Sequence, residues 1–304
     1  MEQNSMTALV SAFARAYHHR HCGEKVFDDP LAADLLGEAD YEEIARSMSQ
    51  GISFFCPGFS GPPEEALRWV VDRQLAPTPL ARAAFAEETL ARAAALGAQQ
   101  YLLLGAGYDT FAYRQPSWAE PLSIFELDRP AVLRDKLSRL DRAGILLPSN
   151  LRLVQADLAG PEWTGALKAA GFRPGAAAFC TLLGLIYYLT EEAFDGLLAA
   201  LSPLLSPGSS LAFDLPVDPP AGAGGREAVQ ERLAQGAGEA MKARYTPAGL
   251  EALLARHGFL LYERLTAPAL TERYFASYNR SNPAHPMTAF AGVECCLAVK
   301  QPSP

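Results

Sequence analysis

The arrangement of apolar and polar positions changes near residue 98. Before it, Ala and Leu recur at the spacing of amphipathic helices, and no strand-like run appears. The pattern predicts helices over residues 6–19, 28–37, 64–76 and 80–97, with a Pro/Gly-rich loop over 57–63. Gly97 is placed to cap the last of these helices. The first third of the chain is therefore expected to be helical.

Beyond residue 98, short apolar runs alternate with helical segments. The runs predict strands over residues 101–104, 122–127, 151–154, 176–183 and 209–214. Between and after them, the pattern predicts helices over residues 130–143, 162–171 and 191–205, the last with Thr190 as its N-cap. Such alternation indicates βαβ units, so a parallel sheet covered by helices on both faces is expected.

The last part of the chain has a different texture. Residues 215–240 predict a Pro/Gly/Ala-rich loop followed by a polar helix. Another helix is expected to begin at Thr246 and to end at Gly258. Strands near residues 259–265 and 292–299 are predicted to form an antiparallel pair at the edge of the sheet.

Composition and charge limit the class of protein. Of the 304 residues, 49% are hydrophobic and 20% are charged, which excludes a disordered chain. The net charge of −8 opposes nonspecific binding to nucleic acid and to anionic membranes, so neither partner is expected. The composition does not indicate the oligomeric state.

Cysteine usage and the apolar stretches bear on location. Five cysteines, odd in number and scattered, are typical of reduced thiols in a cytoplasmic protein. The first residues lack the basic start and apolar run of a signal peptide. The longest nearly apolar stretch, residues 176–189, is too short to span a bilayer. A cytoplasmic location is therefore expected.

Chemistry-bearing residues follow the first predicted strand. Ligands of doubly wound sheets bind beyond the carboxyl ends of the strands. In LLLGAGYDT, residues 102–110, Gly105, Ala106 and Gly107 predict a sharp turn that a ligand can approach closely. A dinucleotide-binding fingerprint would have a third glycine where Thr110 stands. That difference counts against a nucleotide-dependent oxidoreductase.

Acidic residues close the next two strands. Glu126 and Asp128 end the second strand, where an ionised carboxylate can accept hydrogen bonds from two vicinal ribose hydroxyls. Asp157 ends the third strand and could accept from an adenine amino group, with Leu158 packing on the ring. Together with the glycine turn, this order favours a cofactor that contains a nucleoside. The alternatives are helix-start residues in the first case and an Asx-turn at Asp157.

The segment LLLGAGYDTFAYR resembles the signature LGAGxDTxAYR of the bacterial branch of the leucine carboxyl methyltransferase family. Members are S-adenosylmethionine-dependent O-methyltransferases. Further segments resemble the family in the same order: VFDDPLAADLL (26–36), ARAAFAEETL (81–90), FELDRPAVLRDK (125–136), QADL (155–158) and GLIYYLTEEA (184–193). The resemblance covers about residues 10–300.

The resemblance implies a class I Rossmann-like methyltransferase fold. Its sheet would have seven strands, mostly parallel, with an antiparallel C-terminal edge pair. Residues 1–97 would form a helical lid or cap on a cofactor-binding core of residues 98–304, with a lid insertion at about 215–245. The implied cofactor is S-adenosyl-L-methionine, and the product is S-adenosyl-L-homocysteine.

The resemblance also implies roles for single residues. Arg82 would pair with the methionine carboxylate of the cofactor. The other implied cofactor contacts are the turn of Gly105, Ala106 and Gly107, the ribose-binding Asp128 with Glu126, and the adenine contacts Asp157 and Leu158.

Two departures from the family bear on the methyl acceptor. Phe111 stands where the family often has Arg, and Leu183 takes the acidic position of the EGxxxYL motif of protein-methylating members. A bacterial branch with WLGxxxYLT shares that lack. We therefore expect a small-molecule acceptor, methylated on a carboxylate or a hydroxyl, and not a phosphatase C-terminus. A non-catalytic cofactor-binding or partner-binding module is the alternative.

Candidate acceptor contacts come from three segments. They are Arg15, Tyr17 and His18 on the first helix, Tyr187 and Tyr188 after the fourth strand, and Tyr274 with Arg273 near the C-terminus. If a general base is needed, the candidates are His18, His19, His21 and His285. The histidine cluster YHHRHC (17–22) matches no four-ligand zinc spacing, so no metal is expected.

Overall fold

The computed structural model describes residues 6–160, 162–219, 225–236, 238 and 241–302. Its first part is helical, as predicted. The elements are α1 (Met6–His21), α2 (Ala32–Leu36), α3 (Glu38–Gln50), α4 (Ile52–Phe55), α5 (Pro63–Val70), a π-helical turn (Val71–Leu75) and α6 (Pro77–Ala95). The pattern did not predict α3 and α4, which fill residues 38–55 with polar as well as apolar positions.

Seven strands form one sheet, and all seven were predicted within a few residues of their ends. They are β1 (Gln100–Leu104), β2 (Ser123–Asp128), β3 (Leu151–Gln155), β4 (Ala178–Leu182), β5 (Ser210–Pro216), β6 (Phe259–Leu265) and β7 (Val293–Lys300). Their spatial order is β3-β2-β1-β4-β5-β7-β6. The first five are parallel, and β7 runs antiparallel to both β5 and β6.

Helices connect the strands. They are α7 (Pro130–Arg142), α8 (Trp163–Ala169), α9 (Glu191–Leu201), α10 (Gly225–Gly236), α11 (Pro247–Arg256), α12 (Ala267–Leu270), a second π-helical turn (Thr271–Phe275) and α13 (Ala276–Ser281). Thr190 caps α9 as predicted, since its hydroxyl accepts from the Ala193 N–H at 3.2 Å. The helices over residues 267–281 were not predicted. Residues 220–224, 237, 239 and 240 of the predicted lid insertion lie outside the described residues.

The central strands are buried on both faces. In β1, the alternation of side chains sends Leu103 to an apolar layer with α1 and α6, and Leu102 to a second layer with α9 and α11. Both leucines are almost completely buried. This explains the unbroken apolar runs in the sequence, because a strand covered on both faces has no polar side to alternate with.

The strand order reverses between β1 and β4. From β1 the chain goes outward to β2 and β3, and it then returns to β4 on the other side of β1. Connections therefore diverge at the carboxyl ends of these two strands and leave a crevice there. Of the predicted cofactor residues, Gly105, Ala106, Gly107 and Asp128 lie at these strand ends.

Two further observations concern the helices and the cysteines. Within the described residues, no helix has the length and apolar character needed to cross a bilayer. The five cysteines form no disulfide with one another in the structure.

Candidate cofactor site

A cavity of about 1040 Å³ opens at the carboxyl ends of β1, β2 and β4. Its lining comes from both halves of the chain. Contributors include Ser11 and Arg15 of α1, Gln74 of the first π-helical turn, Arg82 of α6, the turn after β1, Asp128, the exit of β4, and residues of α10 and of the segment before β7. The helical first part of the chain and the sheet therefore enclose one space.

The glycine turn forms the floor of this cavity. Gly105 and Gly107 have φ angles of 74° and 49°, which residues other than glycine rarely adopt. The N–H groups of Gly105 and Ala106 both donate to the Leu127 carbonyl, at 2.9 and 3.0 Å. A Cβ added at Gly105 would lie 3.3 Å from the Leu185 side chain. Glycine at positions 105 and 107 therefore allows the backbone to make this turn.

Asp128 stands at the end of β2 and lines the cavity. Its carboxylate accepts from the Gly107 N–H and from the Arg129 N–H, each at 2.7 Å. Burial raises the pKa of Asp128, and these two backbone donors oppose the rise by stabilising the charged form. Each carboxylate oxygen can accept a further hydrogen bond, so Asp128 suits a pair of vicinal hydroxyls.

Glu126 lies elsewhere, which corrects its expected role at the ribose. Its fully buried carboxylate accepts from Lys136 Nζ at 2.7 Å and from the Tyr113 hydroxyl at 3.1 Å. Burial raises the pKa of Glu126, and Lys136 opposes that rise. Successive side chains of a strand point to opposite faces, so Glu126 and Asp128 point to the same face of β2. Glu126 lies farther from the end of the strand, beneath α7. It ties α7 to β2 and does not line the cavity.

Asp157 and Leu158 follow β3 next to the end of β2. Asp157 is exposed, and its Oδ1 accepts from the Ala159 N–H at 3.0 Å. This contact is the Asx-turn that the sequence analysis named as the alternative to an adenine contact. Leu158 is half-buried against the apolar layer. Neither residue is among those that line the cavity.

Arg82 projects from α6 into the cavity and pairs with a carboxylate that the sequence did not single out. Its Nη1 lies 3.3 Å from Oδ2 of Asp214, and its Nη2 donates to the Ser11 hydroxyl at 3.3 Å. Burial alone would lower the pKa of Arg82, but Asp214 raises it, so the guanidinium stays charged. Asp214 lies near the end of β5, as Asp128 lies at the end of β2, and the same strand-end reasoning would have found it.

A second buried carboxylate joins α1 to the glycine turn. Asp29 is fully buried and accepts from Arg15 Nε at 2.8 Å and from the Thr110 hydroxyl at 2.7 Å. Arg15 also donates to the Tyr108 carbonyl at 2.7 Å. Burial alone would raise the pKa of Asp29, but Arg15, Arg114 and Thr110 hold it below its ordinary value. Asp29 therefore remains ionised.

The signature residues after the turn extend this network. Arg114 donates from Nε to the Thr110 hydroxyl at 2.9 Å and forms a bidentate pair with Glu87 of α6. The Asp109 carboxylate accepts from the Phe111 N–H at 2.8 Å and so fixes the end of the turn. The segment after the glycine turn therefore has a structural role, because its hydrogen bonds link the turn to both α1 and α6.

The histidines and Tyr17 of α1 lie away from the cavity, which corrects their expected role as acceptor contacts. Tyr17 packs in the apolar core against Phe13 and His21. His18 is completely buried, and its Nε2 accepts from the Val26 N–H at 2.8 Å. Burial lowers the pKa of His18 to about 4, so the ring is neutral near pH 7.

The remaining base candidates serve other contacts or lie apart. His19 pairs with Asp28 at 2.6 Å, and His21 bonds to the Tyr41 hydroxyl at 3.0 Å. His285 does not line the cavity either. Across the part of the chain that the structure describes, no group of three His, Cys, Asp or Glu side chains is arranged to hold a metal ion.

The tyrosine candidates divide into two groups. Tyr187 and Tyr188 line the cavity, and their hydroxyls donate to Asp214 at 2.9 Å and to Thr7 at 3.2 Å. Tyr274 and Arg273 instead bond to Glu88 on the outside of α6 and do not line the cavity. The structure therefore brings the β4 exit to the site and leaves Tyr274 outside it.

Gln74 lines the cavity, although no motif in the sequence pointed to it. It lies in the π-helical turn between α5 and α6 and is 3% exposed. Its Oε1 has no hydrogen-bond partner among the described residues. A π-helical turn is a frequent feature of functional sites, but it is not visible in a hydrophobic pattern.

Fold and cavity together define the class of protein. Strand order, antiparallel final strand, glycine turn and strand-end carboxylate are those of a class I S-adenosylmethionine-dependent methyltransferase. The chain belongs to the leucine carboxyl methyltransferase family, whose sequence model matches residues 8–202. This confirms the resemblance and the cofactor, S-adenosyl-L-methionine.

Two relatives illustrate the similarity in sequence. YktD of Bacillus subtilis (strain 168), which carries the name of an S-adenosyl-L-methionine-dependent methyltransferase, is 37% identical over 98% of this chain and 99% of its own length. FRAAL3836 of Frankia alni, similarly named, is 34% identical over 70% of this chain and 69% of its own length.

Two solved structures have the same fold. A Thermobifida fusca YX protein named as a methyltransferase matches with a TM-score of 0.58 and 18% identity, over 99% of this chain and 96% of that one. A DUF574 family protein from Streptomyces avermitilis matches with a TM-score of 0.58 and 17% identity, over 98% of each chain.

Replacing Asp29 with Asn should destabilise the protein. The change leaves Arg15 without its buried counter-charge and removes one of the two carboxylates beside Arg114, so we expect a loss of about 3 kcal/mol in the free energy of unfolding at pH 7. The matched control is Asp28→Asn, whose carboxylate is 53% exposed and pairs with His19, and which should cost less than about 1 kcal/mol. Urea denaturation measures both.

The Asp29 effect has a defined pH dependence. The folded-state pKa is lowered, so the stabilisation is present above the unfolded-state pKa of about 4 and is lost as the pH falls through the folded-state value. The difference between wild type and Asp29→Asn should therefore narrow below about pH 4. Equal stability of the two at pH 7 would contradict the network.

His18 should also make the free energy of unfolding fall as the pH falls, but in a higher pH range than Asp29. Between pH 6.5 and about 4 the unfolded chain binds a proton at this position that the folded chain does not, so stability falls as the pH falls. The contribution is about 3 kcal/mol across that range. His18→Gln should remove this part of the pH dependence and His19→Gln should keep it, as measured by urea denaturation from pH 7 to 4. Identical slopes in the two variants would rule out a buried neutral His18.

Proposed function

We propose that this methyltransferase transfers the methyl group of S-adenosyl-L-methionine to an oxygen atom, a carboxylate or a hydroxyl, of a small metabolite. The observation that carries the proposal is one cavity that joins a nucleoside-binding edge to an acceptor end. The glycine turn and Asp128 form the nucleoside-binding part of the cavity. Arg82 and the tyrosines of the β4 exit line the same cavity.

The residues at the sheet edge fit the cofactor. The turn of Gly105, Ala106 and Gly107 offers a surface free of side chains, and Asp128 retains capacity for two ribose hydroxyls. Arg82 is charged and would bind the carboxylate of the amino-acid part. Asp157 and Leu158 would contact adenine only at the outer edge, because neither lines the cavity.

The bound cofactor supplies an electrophilic methyl group, and the protein has to place the acceptor oxygen against it. Positioning of this kind can lower a barrier by about 7–11 kcal/mol in favourable cases. The helices before β1 serve here as the lid. Ala8 of α1 lies next to Gly107, 3.7 Å from where a Cβ there would be, so α1 lies against the turn.

The other end of the cavity would receive the acceptor. We assign to it a mixture of apolar and polar lining side chains that belong neither to the glycine turn nor to the carboxyl ends of the strands, namely Met48, Gln74, Leu75, Thr78, Pro79, Phe290 and Val293. Pockets for drug-sized molecules measure about 300–1,000 Å³. A cavity of about 1040 Å³ therefore has room for the cofactor and a small metabolite together. Arg15 and Tyr188 lie on its wall and are proposed acceptor contacts.

The ionisable groups favour a carboxylate over a hydroxyl acceptor. Among the described residues that line the cavity there is no histidine. Arg15 and Arg244 line it but already pair with Asp29 and Glu231, and Arg82 and Lys242 are two further lining cations. A carboxylate is already ionised near pH 7 and needs no general base, and these cations would attract it. A hydroxyl would have to lose its proton during transfer.

Calorimetry with S-adenosylhomocysteine tests the cofactor end. Asp128→Ala should bind about 10- to 100-fold more weakly than wild type, because hydrogen bonds to a charged carboxylate are lost. Asp141→Ala, which removes an exposed carboxylate of α7 outside the cavity, is the matched control and should change affinity much less. Wild type and Asp128→Ala binding equally well would remove the basis of the proposed site.

The pH dependence of turnover tests the acceptor class. Release of S-adenosylhomocysteine would be measured with a panel of carboxylic acids and with the corresponding alcohols and phenols. For a carboxylate, kcat/KM should be flat from about pH 6 to 9, whereas an acceptor that must be deprotonated gives a rate that rises with pH. Turnover of alcohols or phenols alone, with such a rise, would assign the acceptor to the hydroxyl class.

A further inference from the structure

Asp214 connects three segments of the cavity wall from behind. It lies on β5, is completely buried, and does not itself line the cavity. Its Oδ1 accepts from the Gly184 N–H at 2.6 Å, and its Oδ2 accepts from the Tyr187 hydroxyl at 2.9 Å and from Arg82 at 3.3 Å. Gly184, Tyr187 and Arg82 all line the cavity. A buried charge with three donors therefore fixes three lining groups at once.

The contact with Arg82 leaves part of the guanidinium available. One nitrogen reaches Asp214 and another reaches the Ser11 hydroxyl, each at 3.3 Å. A guanidinium has five N–H donors in a rigid plane, so it can hold Asp214 and a second carboxylate together. Asp214 thereby sets the position from which Arg82 meets an anionic ligand.

Gly184 makes room for this arrangement. Its φ is 67°, and a Cβ added there would lie 2.5 Å from Nη1 of Arg82 and 2.9 Å from its Cζ. Any larger residue at position 184 would displace the guanidinium from its place beside Asp214. Gly184 therefore leaves space for the Arg82 guanidinium, and Asp214 accepts a hydrogen bond from it.

We propose that Asp214 is a positioning residue that holds Arg82 for the amino-acid carboxylate of the cofactor. The inference rests on the proposed function, in which Arg82 makes that contact. Its alternative is that Asp214 only balances charge. In that case its removal would leave Arg82 more attractive to an anion, and affinity for the cofactor would stay the same or increase.

Calorimetry with two nucleosides separates these roles. S-adenosylhomocysteine contains the amino-acid carboxylate, and 5′-methylthioadenosine has the same adenosine and sulfur without it. For Asp214→Asn we expect about a 10- to 100-fold loss of affinity for S-adenosylhomocysteine and less than about a threefold change for methylthioadenosine. A general structural defect would weaken the binding of both nucleosides equally. The informative quantity is therefore the ratio of the affinity for S-adenosylhomocysteine to the affinity for methylthioadenosine.

A second variant keeps the test valid if Asp214→Asn does not fold. Gly184→Ala should also lower the affinity for S-adenosylhomocysteine and spare methylthioadenosine, because it displaces Arg82 and leaves the adenosine end intact. Its matched control is Gly208→Ala. Gly208 also has a positive φ, 84°, but a Cβ there would meet nothing within 4 Å. Gly208→Ala therefore introduces backbone strain without a steric clash. It should leave the ratio of the two nucleoside affinities unchanged.

The outcomes distinguish this inference from the proposed function. If Asp214→Asn, or Gly184→Ala in its place, retains the wild-type ratio or binds S-adenosylhomocysteine more tightly, Asp214 does not position Arg82. If wild type itself binds neither nucleoside, the proposed cofactor site fails first. If wild type binds both equally well, Arg82 does not contact the carboxylate and the inference falls with that contact.

Discussion

The helical cover of the cavity depends on one buried carboxylate, that of Asp29. Removing a carboxylate from water is costly unless donors surround it, and here Arg15, Arg114 and Thr110 do so. These donors come from α1 and from the segment just after the glycine turn, so satisfying one charge brings the first helix onto the carboxyl ends of the strands. The shape of the cavity follows from that requirement, since α1 supplies one of its walls.

Much of the fold could be predicted from the sequence, because its strands are buried on both faces and produce unbroken apolar runs. The parts not predicted have weaker local patterns. In α3 only Tyr41 and Ile44 are buried, so the helix carries few apolar positions to reveal its period. The helices over residues 267–281 are short, and a π-helical turn interrupts their spacing.

The candidate site could be predicted only in part, for a reason that its residues make plain. Residues at strand ends, such as Gly105, Gly107 and Asp128, are placed by the sheet itself. The pairs Arg82–Asp214 and Arg15–Asp29 depend on how separate elements pack, and no local pattern encodes them. Glu126 shows the converse, because its position next to a strand end suggested a ligand while Lys136 already neutralises it.

The position of β7 has a consequence for how the chain folds as it is made. This strand comes last in the sheet by sequence, yet it lies between β5 and β6. During translation, the edge of β5 therefore waits without a partner until residues 217–292 and β7 itself have emerged from the ribosome, and such an edge is open to wrong association. Gly292 and Val293 also line the cavity. A nascent chain consequently acquires a finished ligand pocket only when its sheet closes.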